Sequence, residues 1–189
     1  MLNRREVVAV LLEDRPDDLL VVGGLGSSSW DISAVEKHPG NFCFIGAMGQ
    51  ATPFAQGLAL ARPDSHVLLI TGDGEMLMSL GALATVANTR TGNLSLVVLD
   101  NQSYAETGNQ PTATAGVTDL NTIARGCGFD STMRIESMQE LAACKETLTA
   151  GQGLHFASIR VKVEKLPLSF PFSFDGAAQF NHFQAHVNR

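Results

Sequence analysis

The feature that most constrains the fold is a series of short apolar runs, each followed by a turn that contains glycine or a polar residue. The runs are "DLLVVGG", "NFCFIGAMG", "HVLLITGDG" and "LSLVVLDN", and segments with helical patterns separate them. A strand that is apolar on both faces is typical of a parallel sheet covered by helices. The alternation therefore predicts an α/β fold: a doubly wound, mainly parallel sheet with helices on both faces.

The other segments predict the elements that connect these strands. Helices are expected in "VVAVLL", "SSSWDISAVEKH" and "ATPFAQGLALARPD", and one continuous helix over "EMLMSLGALATVANTR". Two more helices, "TDLNTIARGCGF" and "MQELAACKETLTA", flank the connection "STMRIES". The last strand, "LHFASIRVKV", alternates between apolar and polar residues, which predicts a position at the edge of the sheet.

Composition narrows the class of protein. The chain has 189 residues, 44% of them hydrophobic, and a net charge of −6, which argues against nucleic acid as a partner. It contains no apolar run of about 18 residues, so a membrane span is not expected. Cys43, Cys127 and Cys144 are odd in number and widely spaced, which fits neither a disulfide framework nor a zinc site. Reduced thiols in a cytoplasmic protein are the expectation.

The chain is predicted to form a single domain over residues 1–166, followed by a tail over 167–189. The tail, "PLSFPFSFDGAAQFNHFQAHVNR", contains five Phe and two His residues. This change in composition indicates a segment outside the sheet. We expect it to pack on the surface of the domain or on a partner.

Chemistry is expected where the predicted strands end, because doubly wound sheets bind ligands at the carboxyl ends of their strands. Asp73 follows one buried strand and Asn101 follows the next. A carboxylate, an amide oxygen and the backbone carbonyl of Ser103 form an oxygen ligand set suited to Mg2+ with bound phosphate. Gly72 and Gly74 let the backbone approach a phosphate closely.

Two interpretations of the Gly-Asp-Gly turn remain open at this point. A helix that begins near Glu75 would direct its positive end at a bound phosphate. Alternatively, Asp73 only caps the first turn of that helix.

The spacing of these residues resembles that of thiamine diphosphate (ThDP) enzymes. The stretch "GDGEMLMSLGALATVANTRTGNLSLVVLDNQ" matches their metal-binding pattern, except that the second Asn of the pair is Gln102. "VVGGLGSSSWDI" resembles their diphosphate-contacting loop. "GAMGQATPFAQGLALA" resembles the segment in which Met48 would lie beneath the cofactor and the Gly46 carbonyl would accept a hydrogen bond from the aminopyrimidine.

The stretch "DNQSYAETGNQPTAT" is similar to phosphonopyruvate decarboxylases and to the beta subunits of sulfopyruvate decarboxylases. The resemblance implies ThDP and Mg2+ as cofactors, with Asp73, Asn101 and Ser103 as metal ligands. It implies cofactor contacts from Gly26, Ser28, Ser29, Gly46, Met48, Gly72, Asp73, Gly74, Glu75, Asn101, Ser103 and Tyr104.

The same resemblance implies a function: non-oxidative carbon–carbon cleavage of a small 2-oxo acid by a heteromeric decarboxylase. One domain is too little for such a site, so a pyrimidine-binding alpha subunit would supply the activating glutamate, in an assembly of at least α2β2. Glu106 is an unusual neighbour for a phosphonate or sulfonate substrate, since like charges repel. A subunit of an acetolactate-synthase-like carboligase, or a non-catalytic cofactor-binding module, remains an alternative.

Overall fold

The computed structural model describes residues 1–188, and residue 189 of the predicted tail lies outside the described part. The helices and strands, in chain order, are α1 (Arg4–Leu12), β1 (Leu19–Gly23), α2 (Ser27–Val35), β2 (Asn41–Cys43), α3 (Ala51–Ala61), β3 (His66–Gly72), α4 (Asp73–Met78), α5 (Leu80–Thr89), β4 (Asn93–Asp100), β5 (Ser103–Tyr104), β6 (Gln110–Pro111), α6 (Leu120–Cys127), β7 (Ser131–Ile135), α7 (Met138–Ala150), β8 (Gly153–Arg160) and α8 (Gly176–Val187).

Six of the strands form one parallel sheet in the order β2-β1-β3-β4-β8-β7, and β5 pairs with β6 in a small antiparallel hairpin. Helices α3, α5 and α6 contribute to the core on one face, and α1, α2 and α7 to the core on the other. The predicted doubly wound fold is therefore confirmed. None of the helices within residues 1–188 has the length and apolar character needed to cross a membrane.

The apolar strands supply both cores because successive side chains point to opposite faces. In β1, Leu20 and Val22 join the core on the α3 side, whereas Leu19 and Val21 join the core on the α1 side. All four residues are buried. Full burial of a Leu or Val side chain contributes about 1.5–3 kcal/mol, so the strand stabilises both layers.

The predicted single helix after β3 is wrong in two respects, its start and its continuity. It begins at Asp73 rather than near Glu75, and it is interrupted at Ser79. The backbone of Ser79 has φ −123° and ψ 26°, outside helical geometry, and its N–H donates to the carbonyl of Met76, three residues back. The chain therefore changes direction there, and α4 is a separate short helix directly beside the strand end.

The predicted edge position of the last strand is also wrong. β8 lies between β4 and β7, and the true edge strand is β7, within the segment expected to be a connection. The polar residues that suggested an edge are buried and hydrogen-bonded: His155 Nδ1 lies 2.7 Å from Ser131 Oγ, and Ser158 Oγ accepts from Asn121 Nδ2. The sequence pattern did not predict β7 as a strand because it is short and carries the exposed Arg134.

The tail residues pack on β2, at the other edge of the sheet. Phe183 of α8 is buried and packs against Phe42, with ring centroids 5.4 Å apart. Gln179 Nε2 donates to the backbone carbonyl of Cys43. Phe170, which precedes α8, makes an edge-to-face contact with Trp30 of α2, with centroids 5.7 Å apart. The described tail residues therefore cover one sheet edge and touch the α2 side.

Candidate functional site

The strand order creates a crevice between two loops. From β1 the chain moves to β2 on one side and then returns to β3 on the other side. At such a switch point the connections leave in opposite directions, so the carboxyl ends of the strands border an open space. A cleft of about 200 Å³ lies there, and its lining includes residues that follow β1, β3 and β4.

Most of the residues predicted to contact a cofactor line this cleft. They are Gly26, Ser28, Met48, Gly72, Asp73, Gly74, Glu75, Asn101, Ser103 and Tyr104. Ser29 and Gly46 do not line it. Ser29 is fully buried and its Oγ donates to the carbonyl of Gly24 at 2.7 Å, while Gly46 is exposed outside the cleft. The predicted cofactor contacts of these two residues stay predictions.

Asp73 is a buried carboxylate held by hydroxyl groups. It is 1% exposed, and its Oδ2 accepts a hydrogen bond of 2.5 Å from Thr112 Oγ1, with Thr114 Oγ1 3.1 Å away. Asp73 is the first residue of α4, and Gly72 occupies the N-cap position, where no side chain caps the helix. The alternative in which Asp73 serves only as the N-cap is therefore not what the structure shows.

A second buried carboxylate lies close to Asp73. Thr114 Oγ1 is 2.8 Å from Oδ1 of Asp100, and Arg160 Nη1 is 3.4 Å from the other oxygen of Asp100. Burial raises the pKa of Asp73; the hydrogen bond from Thr112 opposes that shift, and the charge of Asp100 adds to it. Within the described residues, Asp73 forms no ion pair with a protein cation. A divalent cation would offset the buried negative charge, so these residues fit the predicted Mg2+.

The ligand set predicted for that metal contains only one carboxylate. No group of three or more His, Cys, Asp or Glu suited to a metal occurs among residues 1–188. Asn101 and Ser103 lie in the same turn, where Asn101 Oδ1 accepts from the N–H of Ser103 at 2.9 Å. Amide and carbonyl oxygens complete a Mg2+ shell that also includes phosphate and water, so one carboxylate suffices.

Gln102, where this sequence departs from the family pattern, anchors the turn that contains Asn101 and Ser103. Its backbone has φ 60°, and its side-chain Nε2 donates to the carbonyl of Thr114 at 2.6 Å. The hairpin of β5 and β6 then returns the chain so that Thr112 reaches Asp73. The departure therefore has a structural role, and it links the turn to the segment that holds the carboxylate.

The loop after β1 presents the start of α2 to the cleft. Gly26 has φ 81°, a conformation that favours glycine, and it is the N-cap of α2 without any side-chain cap. Free N–H groups at a helix N-terminus attract anions. Glu106 lies beside the start of α2, where its Oε1 accepts a hydrogen bond from Ser27 Oγ at 3.1 Å. An anion bound by this loop would therefore meet an exposed carboxylate.

Glu75 is a buried carboxylate of the cleft lining, close to Thr71 of β3 and to the loops that follow β1 and β2. It is 3% exposed, and its Oε2 accepts from Thr71 Oγ1 at 2.8 Å. Burial raises the pKa of this carboxyl, and nearby N–H groups of Leu25, Gly49 and Ala51 partly oppose the shift. None of these N–H groups makes a close hydrogen bond with Oε1. The hydrogen bond to Thr71 and the nearby loop N–H groups indicate a structural use of the carboxylate, and its predicted contact with a cofactor stays a prediction.

Tyr104 and Met48 form an apolar wall of the cleft. A Cβ added at Gly74 would lie 2.5 Å from Cε1 of Tyr104, so glycine is what lets this ring approach α4. Met48 is 38% exposed within the cleft. The wall can accept a flat apolar ring beside the polar end formed by Asp73.

Sequence reasoning missed Arg4 and Ser27, which line the cleft, and two hydroxyl partners of Asp73. Thr112 lies in the "QPT" segment, and that resemblance was the one available signal for it. Thr114, Ser27 and the buried Arg4 lay outside the predicted site residues. Their positions follow from long-range packing, which a single sequence does not reveal.

Comparison with known proteins agrees with this geometry. A family model described as "Thiamine pyrophosphate enzyme, C-terminal TPP binding domain" matches residues 24–159. The sulfopyruvate decarboxylase subunit beta of Methanococcus maripaludis is 34% identical over 167 residues, which cover 88% of this chain and 89% of that subunit. The phosphonopyruvate decarboxylase of Streptomyces viridochromogenes is 34% identical over 179 residues, 95% of this chain but 43% of that protein.

The fold has a counterpart among solved structures. Benzoylformate decarboxylase from Polynucleobacter necessarius matches with a TM-score of 0.77 and 23% identity, over 88% of this chain and 34% of that chain. At that identity the likeness concerns the fold alone. The sequence match, which covers well over half of the chain, decides the family. From the cleft at the strand ends and this match together, we conclude that the chain belongs to the thiamine pyrophosphate enzymes and carries their C-terminal TPP-binding domain.

Proposed function

We propose that this chain is the ThDP- and Mg2+-binding subunit of a heteromeric 2-oxoacid decarboxylase of the sulfopyruvate or phosphonopyruvate type. The proposal depends on one observation. Asp73, Asn101, Ser103 and the start of α2 line the same cleft. When bound, ThDP supplies an electron sink for the loss of carbon dioxide from a 2-oxo acid. The names of the similar decarboxylases support this reaction class.

In this proposal the chain's own residues bind and orient the cofactor. The Asp73 carboxylate, the Asn101 amide oxygen and the Ser103 carbonyl hold Mg2+. Gly26 and Ser28, at the start of α2, bind the diphosphate through N–H and hydroxyl groups. The wall that contains Met48 and Tyr104 orients the rings and excludes water.

The active site also requires a second subunit. This chain covers 89% of a sulfopyruvate decarboxylase subunit named beta, but only 43% of a phosphonopyruvate decarboxylase. We therefore propose a separate pyrimidine-binding alpha subunit that supplies the activating glutamate, in an assembly of at least α2β2.

Two further proposals concern the chain itself. Residues 1–166 form the cofactor-binding domain, and residues 167–189 form a tail. Three free cysteines support a place in the reducing cytoplasm.

Calorimetric titration with ThDP, in the presence and absence of Mg2+, tests the metal site directly. The expected result is Mg2+-dependent binding that Asp73→Asn weakens by at least 100-fold, because the charge that holds the cation is lost. Asp130→Asn is a matched control, because Asp130 lies near the opposite ends of the strands and its Oδ2 accepts from the N–H of Leu154. Unaltered Mg2+-dependent binding by Asp73→Asn would contradict the metal assignment.

Catalysis is tested on the complete enzyme. The chain is co-purified with its partner subunit, and carbon dioxide release is measured from sulfopyruvate, phosphonopyruvate and pyruvate. Release that requires both subunits supports the proposal. A complex that binds ThDP but joins 2-oxo acids into a larger product, or that turns over none of them, contradicts the decarboxylase assignment.

A further inference from the structure

Arg4 is a buried cation at the wall of the cleft. It begins α1, is 4% exposed, and lines the cleft beside Ser27 and Ser28. The described lining contains three acidic residues, Asp73, Glu75 and Glu106, and Arg4 is its one Lys or Arg. A ligand with several negative charges therefore meets a single positive side chain there.

The guanidinium is only partly used by the protein. Arg4 Nε pairs with Oδ2 of Asp31, a fully buried residue, and Arg5 Nε donates to the other oxygen of Asp31 at 3.0 Å. Nη1 of Arg4 is buried and has no hydrogen-bond partner within residues 1–188. A buried donor without a partner destabilises the fold, and a charged donor does so more strongly. The protein therefore holds a charged donor in place without using all of it.

We propose that the Arg4 guanidinium binds an oxyanion of the phosphate class at the start of α2. Three donors of different kinds meet there: the guanidinium, the hydroxyl of Ser28, and the uncapped N–H groups of α2. Charge-assisted hydrogen bonds from arginine to phosphate are among the strongest in proteins. Asp31 keeps the side chain of Arg4 oriented, so little conformational entropy is lost when the anion binds.

The anion has two possible sources, and the proposal rests on the proposed function for both. The first is the terminal phosphate of ThDP. The second is the acidic group that a sulfo- or phosphono-substituted 2-oxo acid carries in addition to its carboxylate. Arg4 also borders a second cavity of about 590 Å³, which shares Ser27 and Glu106 with the cleft. The experiment separates the two sources.

The test uses inorganic pyrophosphate, ThDP and unphosphorylated thiamine, each titrated into the full chain with Mg2+. If the cofactor is the source, Arg4→Gln weakens pyrophosphate and ThDP at least tenfold and leaves thiamine unchanged, and Arg4→Lys falls between. Arg5→Gln is the matched control for the cleft: it removes the other partner of Asp31, and Arg5 borders the second cavity but not the cleft. It should leave all three affinities unchanged.

Folding is tested separately, because Arg4→Gln leaves a buried carboxylate with one partner fewer. The double variant Arg4→Gln/Asp31→Asn removes both charges of the pair and leaves neutral amides in their place. Thermal unfolding identifies which variants are folded, and the titrations are compared among those only. If the loss of anion binding is the same in the double variant, it comes from the missing guanidinium and not from misfolding.

The second source is tested with the complete enzyme. If the substrate is the source, Arg4→Gln leaves ThDP binding unchanged, raises KM for phosphonopyruvate at least tenfold and leaves KM for pyruvate unchanged. If neither anion affinity nor KM changes in Arg4→Gln, the role of Arg4 is overturned. A wild-type chain that binds pyrophosphate through Arg4 but never binds ThDP, even with its partner, contradicts the proposed function alone.

Discussion

The two ends of β3 both bury a titratable group, but they treat it differently. At the amino end, His66 Nε2 lies 3.0 Å from Ser95 Oγ and 3.1 Å from the carbonyl of Leu148, within the packing of α7 against the sheet. At the carboxyl end, Asp73 has hydroxyl partners and borders an open cleft. The His66 side chain contacts protein groups in the interior, whereas the Asp73 carboxylate borders a cleft that a ligand can enter.

The shifted pKa values express the same difference. Burial lowers the pKa of His66 to about 4 and raises the pKa of Asp73. Both shifts favour the neutral form. For His66 the neutral form is the one that the surrounding packing requires. For Asp73 the charged form would become favourable if a cation bound beside it.

The largest expected effect concerns the amino end. A folded-state pKa of about 4, below the ordinary 6.5, means that neutral His66 stabilises the fold above pH 6.5. That contribution is lost as the pH falls from about 6.5 to about 4, and it amounts to about 3 kcal/mol. We therefore expect the free energy of unfolding, measured with urea between pH 7 and pH 4, to fall less in His66→Asn than in the wild type. Equal pH dependence in both proteins would show that His66 is not held neutral.

The next effect concerns the carboxyl end. Thr112→Val removes the 2.5 Å hydrogen bond to Asp73 and keeps the shape of the side chain. Loss of a partner that orients a metal ligand typically costs about 10–100-fold in metal affinity. We expect a decrease of that size in Mg2+ affinity, measured by titration with ThDP present. Thr112→Ser restores the hydroxyl and serves as the control; if it binds as weakly as Thr112→Val, the hydroxyl is not responsible.

The smallest effect concerns the mouth of the cleft. Glu106→Gln removes the exposed charge beside Ser27, so ThDP and pyrophosphate should bind a few-fold more tightly. The gain should shrink at high salt, because solvent screens exposed charges. Glu146→Gln, on α7 near the amino ends of the strands, removes an equal charge far from the cleft and should have no effect. A gain that persists in 1 M salt would indicate a change of loop structure instead.

The sequence was informative about the strands and much less about what holds the strand ends together. Continuous apolar runs such as Val67–Ile70 reveal buried parallel strands, because both faces must be covered. Once the strands are known, the topology predicts that their carboxyl ends lie together at one edge of the sheet. β8 was misjudged because His155 and Ser158 look like solvent-facing residues, although hydrogen bonds satisfy them in the interior.

The partners of the site residues could not be predicted for a different reason. Thr112 bonds Asp73 across 39 residues, and Arg4 pairs with Asp31 across 27 residues. Such pairs depend on a hairpin and on helix packing, neither of which leaves a periodic signal. The residues that a ligand would touch were therefore easier to predict than the residues that hold them in position.

The rate of alkylation of a cysteine in the covered edge strand β2 would measure local unfolding at that edge of the sheet. Cys43 in β2 is buried, its carbonyl accepts from Gln179 of α8, and burial raises the pKa of its thiol. Alkylating reagents attack thiolates that they can reach, so this sulfur reacts only while the edge is open. The more accessible Cys127 and Cys144 would be modified first. Cys43 Sγ lies 3.8 Å from Ser33 Oγ of α2. The delay before Cys43 reacts thus reports how often α2 separates from the edge strand, without any added label.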